Sequence, residues 1–198
     1  MLKGLLCLMM ALLIVQSGSS TFCIKNVEVL TKYDPRYVLN RTNQIFSSDT
    51  PSKKSDLDCL IAELKATGIF ADVRAELTPS KTRNFWNLLI STENVEHIQE
   101  VTISEVDLSG FHEVNNAEFQ AALAKRGITN NSYLLKYSFN ELEERVSEAL
   151  REVYPKTLAE KEKMGLAWVT IRADGAKRVK LIVSPAYLEC GTSSKTMP

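Results

Sequence analysis

Apolar positions along the chain change period, and the changes mark elements. Leu57, Leu60, Ile61 and Leu64 recur at i, i+3, i+4 and i+7, the stripe of an amphipathic helix. Beyond Thr67-Gly68 the period drops to two. Ala71, Val73, Ala75 and Leu77 alternate there with Asp72, Arg74 and Glu76, the pattern of a strand with one wet face. Gly68 can take the left-handed conformation that ends a helix without a Cβ clash, so Thr67 and Gly68 read as a structural hinge.

The same reading extends in both directions. FCIKNVEVL (22–30) is rich in β-branched and aromatic residues and predicts a strand. Residues 34–46 predict a helix with Val38, Leu39, Thr42, Ile45 and Phe46 on one face and Pro35 in its first turn. Ser55 with Asp58 three residues on resembles a capping box for the next helix. After the strand at 70–77, TPSKTR is turn chemistry, and FWNLLI restores a strand with Trp86, Leu88 and Ile90 together. Residues 22–92 therefore spell strand, helix, helix, strand, strand.

The order then recurs. IQEVTISEVDL (98–108) is a strand, and NNAEFQAALAKRG is a helix with Phe119, Ala122 and Leu123 inward and Gly127 as its stop. Ser138 with Glu141 opens a longer helix whose Leu142, Val146, Ala149, Leu150 and Val153 share a stripe, with Pro155 at its end or a kink. LAWVTIRA and RVKLIVS flank DGAK, an Asp-Gly turn signal that joins antiparallel strands. The join between the copies lies near residues 94–98. Two antiparallel helices between the first two strands reverse the chain, and the hairpin reverses it again. Each copy is thus expected to be an α+β unit, a three-stranded mixed sheet with two helices on one face.

Composition changes the picture mainly at the ends. In 198 residues, 24 basic side chains balance 24 acidic ones, so charge alone argues against a nucleic-acid binder. The first twenty residues carry Lys3, an apolar run from Leu5 to Val15 and then small residues, the layout of a cleaved secretory signal (1–20). That run falls well short of the roughly 20 residues of a membrane-spanning helix, so no transmembrane span is expected after cleavage. Residues 188–198 read as a flexible tail. Three cysteines then remain, Cys23, Cys59 and Cys190. Cys23 opens the first strand and Cys59 lies in a helix over the sheet, which leaves either a Cys23 to Cys59 disulfide or two buried thiols, with Cys190 over.

Leu64, Thr67, Gly68, Phe70, Asp72 and Val73 make LKATGIFADV resemble the L-x-x-T-G-x-F-x-x-V junction of polypeptide-transport-associated (POTRA) repeats, found in outer-membrane assembly and secretion proteins. The second copy fits by element order, with a longer charged connection (YPKTLAEKEKMGLAWV) at the corresponding place. The resemblance implies two tandem β-α-α-β-β POTRA-like domains, 22–93 and 98–187, without a membrane barrel of their own. It further implies an exported adaptor or chaperone-like module, periplasmic or envelope-associated, or extracellular if the source is eukaryotic. Its expected partners are unfolded or envelope-assembly polypeptides, with association to an outer-membrane barrel protein and no nucleic acid.

Such modules bind by adding a strand to a sheet edge. With the third strand central, as in the family, the candidate edge is Phe70, Ala71, Asp72, Val73, Arg74, Ala75, Glu76 and Leu77. The corresponding second edge is Ala167, Trp168, Val169, Thr170 and Ile171. The other reading is a secreted inhibitor or effector acting through the 78–83 loop. Enzyme chemistry finds little support: His97 and His112 lack metal-ligand spacing, no phosphate-loop or nucleophile motif occurs, and no cofactor is expected. NRT at Asn40 and NNS at Asn130 are glycosylation sequons only in a eukaryotic secreted chain.

Overall fold

The computed structural model describes residues 21–46, 51–154 and 167–185. The expected leader, the tail and residues 155–166, which hold Pro155 and most of the charged connection, lie outside these. The chain forms β1 (Cys23–Leu30), α1 (Pro35–Ile45), α2 (Lys54–Ala66), β2 (Phe70–Pro79) and β3 (Phe85–Asn94), then β4 (Thr102–Leu108), α3 (Asn116–Lys125), α4 (Phe139–Val153), β5 (Trp168–Ala173) and β6 (Arg178–Ser184). There are two sheets of three strands, ordered β1-β3-β2 and β4-β6-β5. In each, the first strand runs parallel to the third and the second antiparallel to it. The third strand is central in both, and the mixed α+β architecture matches the expectation.

The copies agree in register although their sequences differ. Ile24 lies opposite Trp86, and the ladder shifts between Ile24 and Asn26; Ile103 lies opposite Val179, and the ladder shifts between Ile103 and Glu105. Val27 then pairs with Leu88 as Val106 pairs with Leu181. Likewise Ala75 faces Ile90 and Leu77 faces Leu88, as Val169 faces Val183 and Ile171 faces Leu181. Ala75 and Val169 are therefore equivalent positions, and so are Leu77 and Ile171.

Local chemistry sets the helix ends. Asn115 Oδ1 accepts from Ala117 N–H at 2.9 Å. At α4 the capping box forms: Glu141 N–H donates to Ser138 Oγ, and Ser138 N–H donates to Glu141 Oε2 at 2.9 Å. The start of α2 departs from the Ser55–Asp58 expectation. Asp56 Oδ2 takes the Lys53 N–H at 2.7 Å, so the helix begins at Lys54. Strand ends shift as well: β2 runs on to Pro79, β3 continues to Asn94, and Ile98–Glu100 forms a short 3-10 turn ahead of β4.

In the first unit Ile24, Val73, Leu88 and Ile90 pack under Val38, Leu60 and Leu64; in the second, Ile103, Val169, Ile171 and Leu181 pack under Phe119, Leu123, Leu142 and Val146. Ala71, expected inward, is exposed, because the ladder shift between Phe70 and Asp72 turns Phe70 and Val73 to the core instead. The two cores join in one cluster. Tyr37 of α1 meets Phe139 of α4 edge-on, with ring centroids 4.7 Å apart.

Candidate partner-binding edges

The junction motif works as a lock. Thr67 is fully buried, and its hydroxyl donates to the Leu64 carbonyl at 2.6 Å, occupying one of the helix-terminal acceptors. Gly68 follows with φ +71°, and Leu64, Phe70 and Val73 are all buried. A second constraint was not visible in the sequence. A Cβ on Gly68 would stand 2.7 Å from Ala173 Cβ, at the end of β5, so the glycine also permits the second unit to approach.

Beyond the hinge, β2 pairs with β3 alone among the described residues. Ser80 N–H donates to the Phe85 carbonyl at 2.9 Å, which phases the ladder. Bonding alternates along an antiparallel pair, so Thr78, Glu76 and Arg74 turn their main chain to β3, and Leu77, Ala75 and Val73 turn theirs outward. Pro79, which has no N–H to give, falls in the outward row. On the helix side Val73 is buried, and Ala75 and Leu77 are half-buried against the core; Arg74 and Glu76 lie exposed on the other face.

Asp72 organises the head of this edge. Its Oδ1 accepts from Val73 N–H at 2.9 Å, its Oδ2 accepts from Arg74 Nε at 2.7 Å, and Lys65 Nζ stands 3.8 Å away. The Arg74 hydrogen bond above all, then the Val73 amide, holds the carboxyl below its usual range. One outward donor is thereby occupied by the strand's own side chain, and the outward groups of Ala75 and Leu77 come next.

The second candidate edge is closed by the molecule itself. Asp174 N–H bonds the Arg178 carbonyl, which turns Val169 and Ile171 outward by the same alternation. Arg41 of α1, only 3% exposed, donates from Nη2 to the Val169 carbonyl at 2.8 Å and to Thr170 Oγ1 at 2.7 Å. The Val169 amide donates to the Glu143 carboxylate, the Ile171 amide to the Tyr37 hydroxyl, and the Ala167 amide to Ser147 Oγ at 2.9 Å. Arg172 Nη2 meets Glu63 Oε2 of α2 at 2.6 Å. Ala167, Val169, Thr170 and Ile171 are buried and Trp168 half-buried, so this strand is no open template. Tyr37, Arg41, Glu143 and Ser147, which close it, carried no such signal in the sequence.

The border of β4 is covered too. Ile103 N–H donates to the Ser132 carbonyl at 2.8 Å, Asn131 N–H to the Ile103 carbonyl at 2.7 Å, and Gln120 Nε2 to the Val106 carbonyl at 2.8 Å. Just ahead of β1, Phe22 and Ser52 exchange two main-chain bonds.

The Cys23–Cys59 bridge does not form: Cys23 is a free thiol and Cys59 is disulfide-bonded. Strand alternation explains it. Ile24 points to the core under the helices, which turns Cys23 to the opposite face, away from Cys59 on α2. His97 stands beside Glu100, with 3.7 Å between Nδ1 and Oε1. In the 78–83 loop, Thr82 receives a hydrogen bond from Lys25 of β1, and Asn84 closes the turn at φ +66°. Among the described residues no helix is long and apolar enough to cross a membrane.

No protein-family model matches the chain, and no curated protein does. Among solved structures the chain is similar to POTRA domains 1–2 of the periplasmic domain of Omp85 from Anabaena, at 14% identity and a TM-score of 0.34, over 87% of this chain and 100% of that one. It is similar to POTRA domains 3–5 of Haemophilus influenzae BamA at 9% identity and a TM-score of 0.34, over 82% of this chain and 60% of that one. CdiB from Escherichia coli matches at 11% identity and a TM-score of 0.27, over 88% of this chain and 29% of that one.

Proposed function

We propose that the protein is an exported protein-interaction module that acts as an adaptor or chaperone-like factor in outer-membrane assembly or secretion. It takes up partner main chain along Phe70–Leu77. The observation that carries the reading is the contrast between two equivalent strands. The outward groups of Val169 and Ile171 on β5 are taken by Glu143, Arg41 and Tyr37, whereas β2, which carries their equivalents Ala75 and Leu77, pairs with β3 alone among the described residues. An incoming strand would place alternate residues beside half-buried Ala75 and Leu77, and the others beside Arg74 and Glu76 on the wet face.

Ala75→Pro tests this, because it removes an outward N–H without breaking a bond to β3. The chain is used to capture polypeptides from an envelope extract, and those captured are identified by mass spectrometry. A folded Ala75→Pro variant, checked by circular dichroism and thermal melting, should lose the set bound by the parent chain. Retention of the same set would eliminate this edge. Loss on scrambling residues 80–83, with Ala75→Pro unaffected, would move the site to the loop.

A further inference from the structure

A cleft of about 570 Å³ opens where the two units meet, with residues 32–36 on one wall and 135–138 on the other. Three exposed cations line it, Lys32, Arg36 and Lys136, against a single carboxylate, Asp34. Both Asp34 oxygens are already engaged by main chain: Oδ1 accepts from Arg36 N–H at 3.0 Å and Oδ2 from Phe139 N–H at 2.8 Å. No carboxylate among the described residues forms an ion pair with Lys32, Arg36 or Lys136; Lys136 lies over the Tyr137 ring. Two helices, α1 at Pro35 and α4 at Phe139, begin at this cleft and present their positive ends to it.

Tyr33 backs the same cleft at 4% exposure, its ring edge-on to Tyr37 and Phe70 and its hydroxyl enclosed. Burial, then Tyr37 and Asp34, raises the Tyr33 pKa, so the group adds no negative charge to the cleft.

We propose that this inter-unit cleft binds an acidic segment of a partner polypeptide, with Lys32, Arg36 and Lys136 meeting its carboxylates. The cations stand on walls about a hundred residues apart in sequence, and the cleft is far larger than one oxyanion. Both facts suit a run of carboxylates better than a single small anion. The proposal uses none of the β2 residues, so it stands or falls apart from the edge reading.

The test is fluorescence anisotropy of a labelled hexaglutamate peptide with the full chain at low salt. Saturable binding that weakens with added salt is expected. Lys32→Glu with Lys136→Glu should weaken it by at least about tenfold. Both positions are exposed, so the fold should survive. Ala75→Pro should bind like the parent. Absence of saturable binding, or equal affinity in the double charge-reversal variant, would overturn the proposal. So would displacement of the peptide by inorganic phosphate or by phosphatidylglycerol vesicles at equal anion concentration, since that would mark a general oxyanion or lipid-headgroup site.

Discussion

Arg41 Nη2 donates to the carbonyl of Val169 at 2.8 Å, across 128 positions of sequence. A helix of the first unit thereby closes the border of the second, and a charge sits where water does not reach, held by Val169, Thr170 and Gln44. Arg41→Ala leaves two buried acceptors without a donor. A loss of about 2–4 kcal/mol in urea denaturation is expected, with faster hydrogen exchange at the β5 amides. A loss under about 0.5 kcal/mol would mean that water replaces the guanidinium at little cost.

Gly68 and Gly175 form a controlled pair. Both have positive φ, +71° and +91°, so alanine is strained at either. Only Gly68 meets a neighbour: its added Cβ would fall 2.7 Å from Ala173, whereas nothing lies within 4 Å at Gly175. Gly175→Ala should cost about 1 kcal/mol, and Gly68→Ala that amount plus the cost of pushing the units apart. Ala173→Gly should restore part of the Gly68→Ala loss and leave Gly175→Ala unchanged. Equal melting temperatures for the two single variants would show that the units separate freely.

The order of elements along the chain, the Ser138–Glu141 box and the Gly68 and Gly127 stops were legible because their causes are local. Each rests on residues within a few positions, or on a period that one face of one element imposes. The α1 surface was not. Leu39 was expected inward and is half-buried, whereas Tyr37 and Arg41 are buried, because the helix has a second face that packs on β5. An arginine at helical spacing reads as solvated until its partners are known, and these lie in another unit. Glu143 and Ser147 were missed for the same reason. The first edge followed from the central third strand that the resemblance implies, but whether either edge is covered depends on how the units dock, and no pattern within one unit encodes that.

Thiol chemistry checks the face assignment of β1. Cys23 is free and half-buried on the face away from the helices, while Cys59 is bridged. Under native, non-reducing conditions iodoacetamide should modify Cys23, and the peptide carrying Cys59 should be modified only after reduction. Recovery of a disulfide-linked Cys23 and Cys59 peptide pair would contradict the observed alternation.

The docking of the units should depend on pH, and the direction follows from one side chain. Glu143 on α4 is 9% exposed and faces the Arg41 guanidinium from α1 and the Val169 amide from β5. Burial outweighs both, and raises its pKa from 4.5 to about 7. Between those values the folded chain holds a proton that the unfolded chain has released. The stabilisation from this group is therefore full below pH 4.5 and is lost as pH rises through about 7. The surface carboxylates Asp72, Glu100, Glu141 and Glu152 are shifted downward and act in the opposite sense, so total stability alone does not isolate Glu143. The difference between the parent chain and Glu143→Gln does, because every other group is common to both. That difference should move against the parent by on the order of 2 kcal/mol between roughly pH 5 and pH 8 in urea denaturation. Arg41→Ala should shift the window to higher pH by removing the nearest positive charge. A difference that stays constant across the range would mean that Glu143 is ionised throughout, with Arg41 and the Val169 amide prevailing over burial.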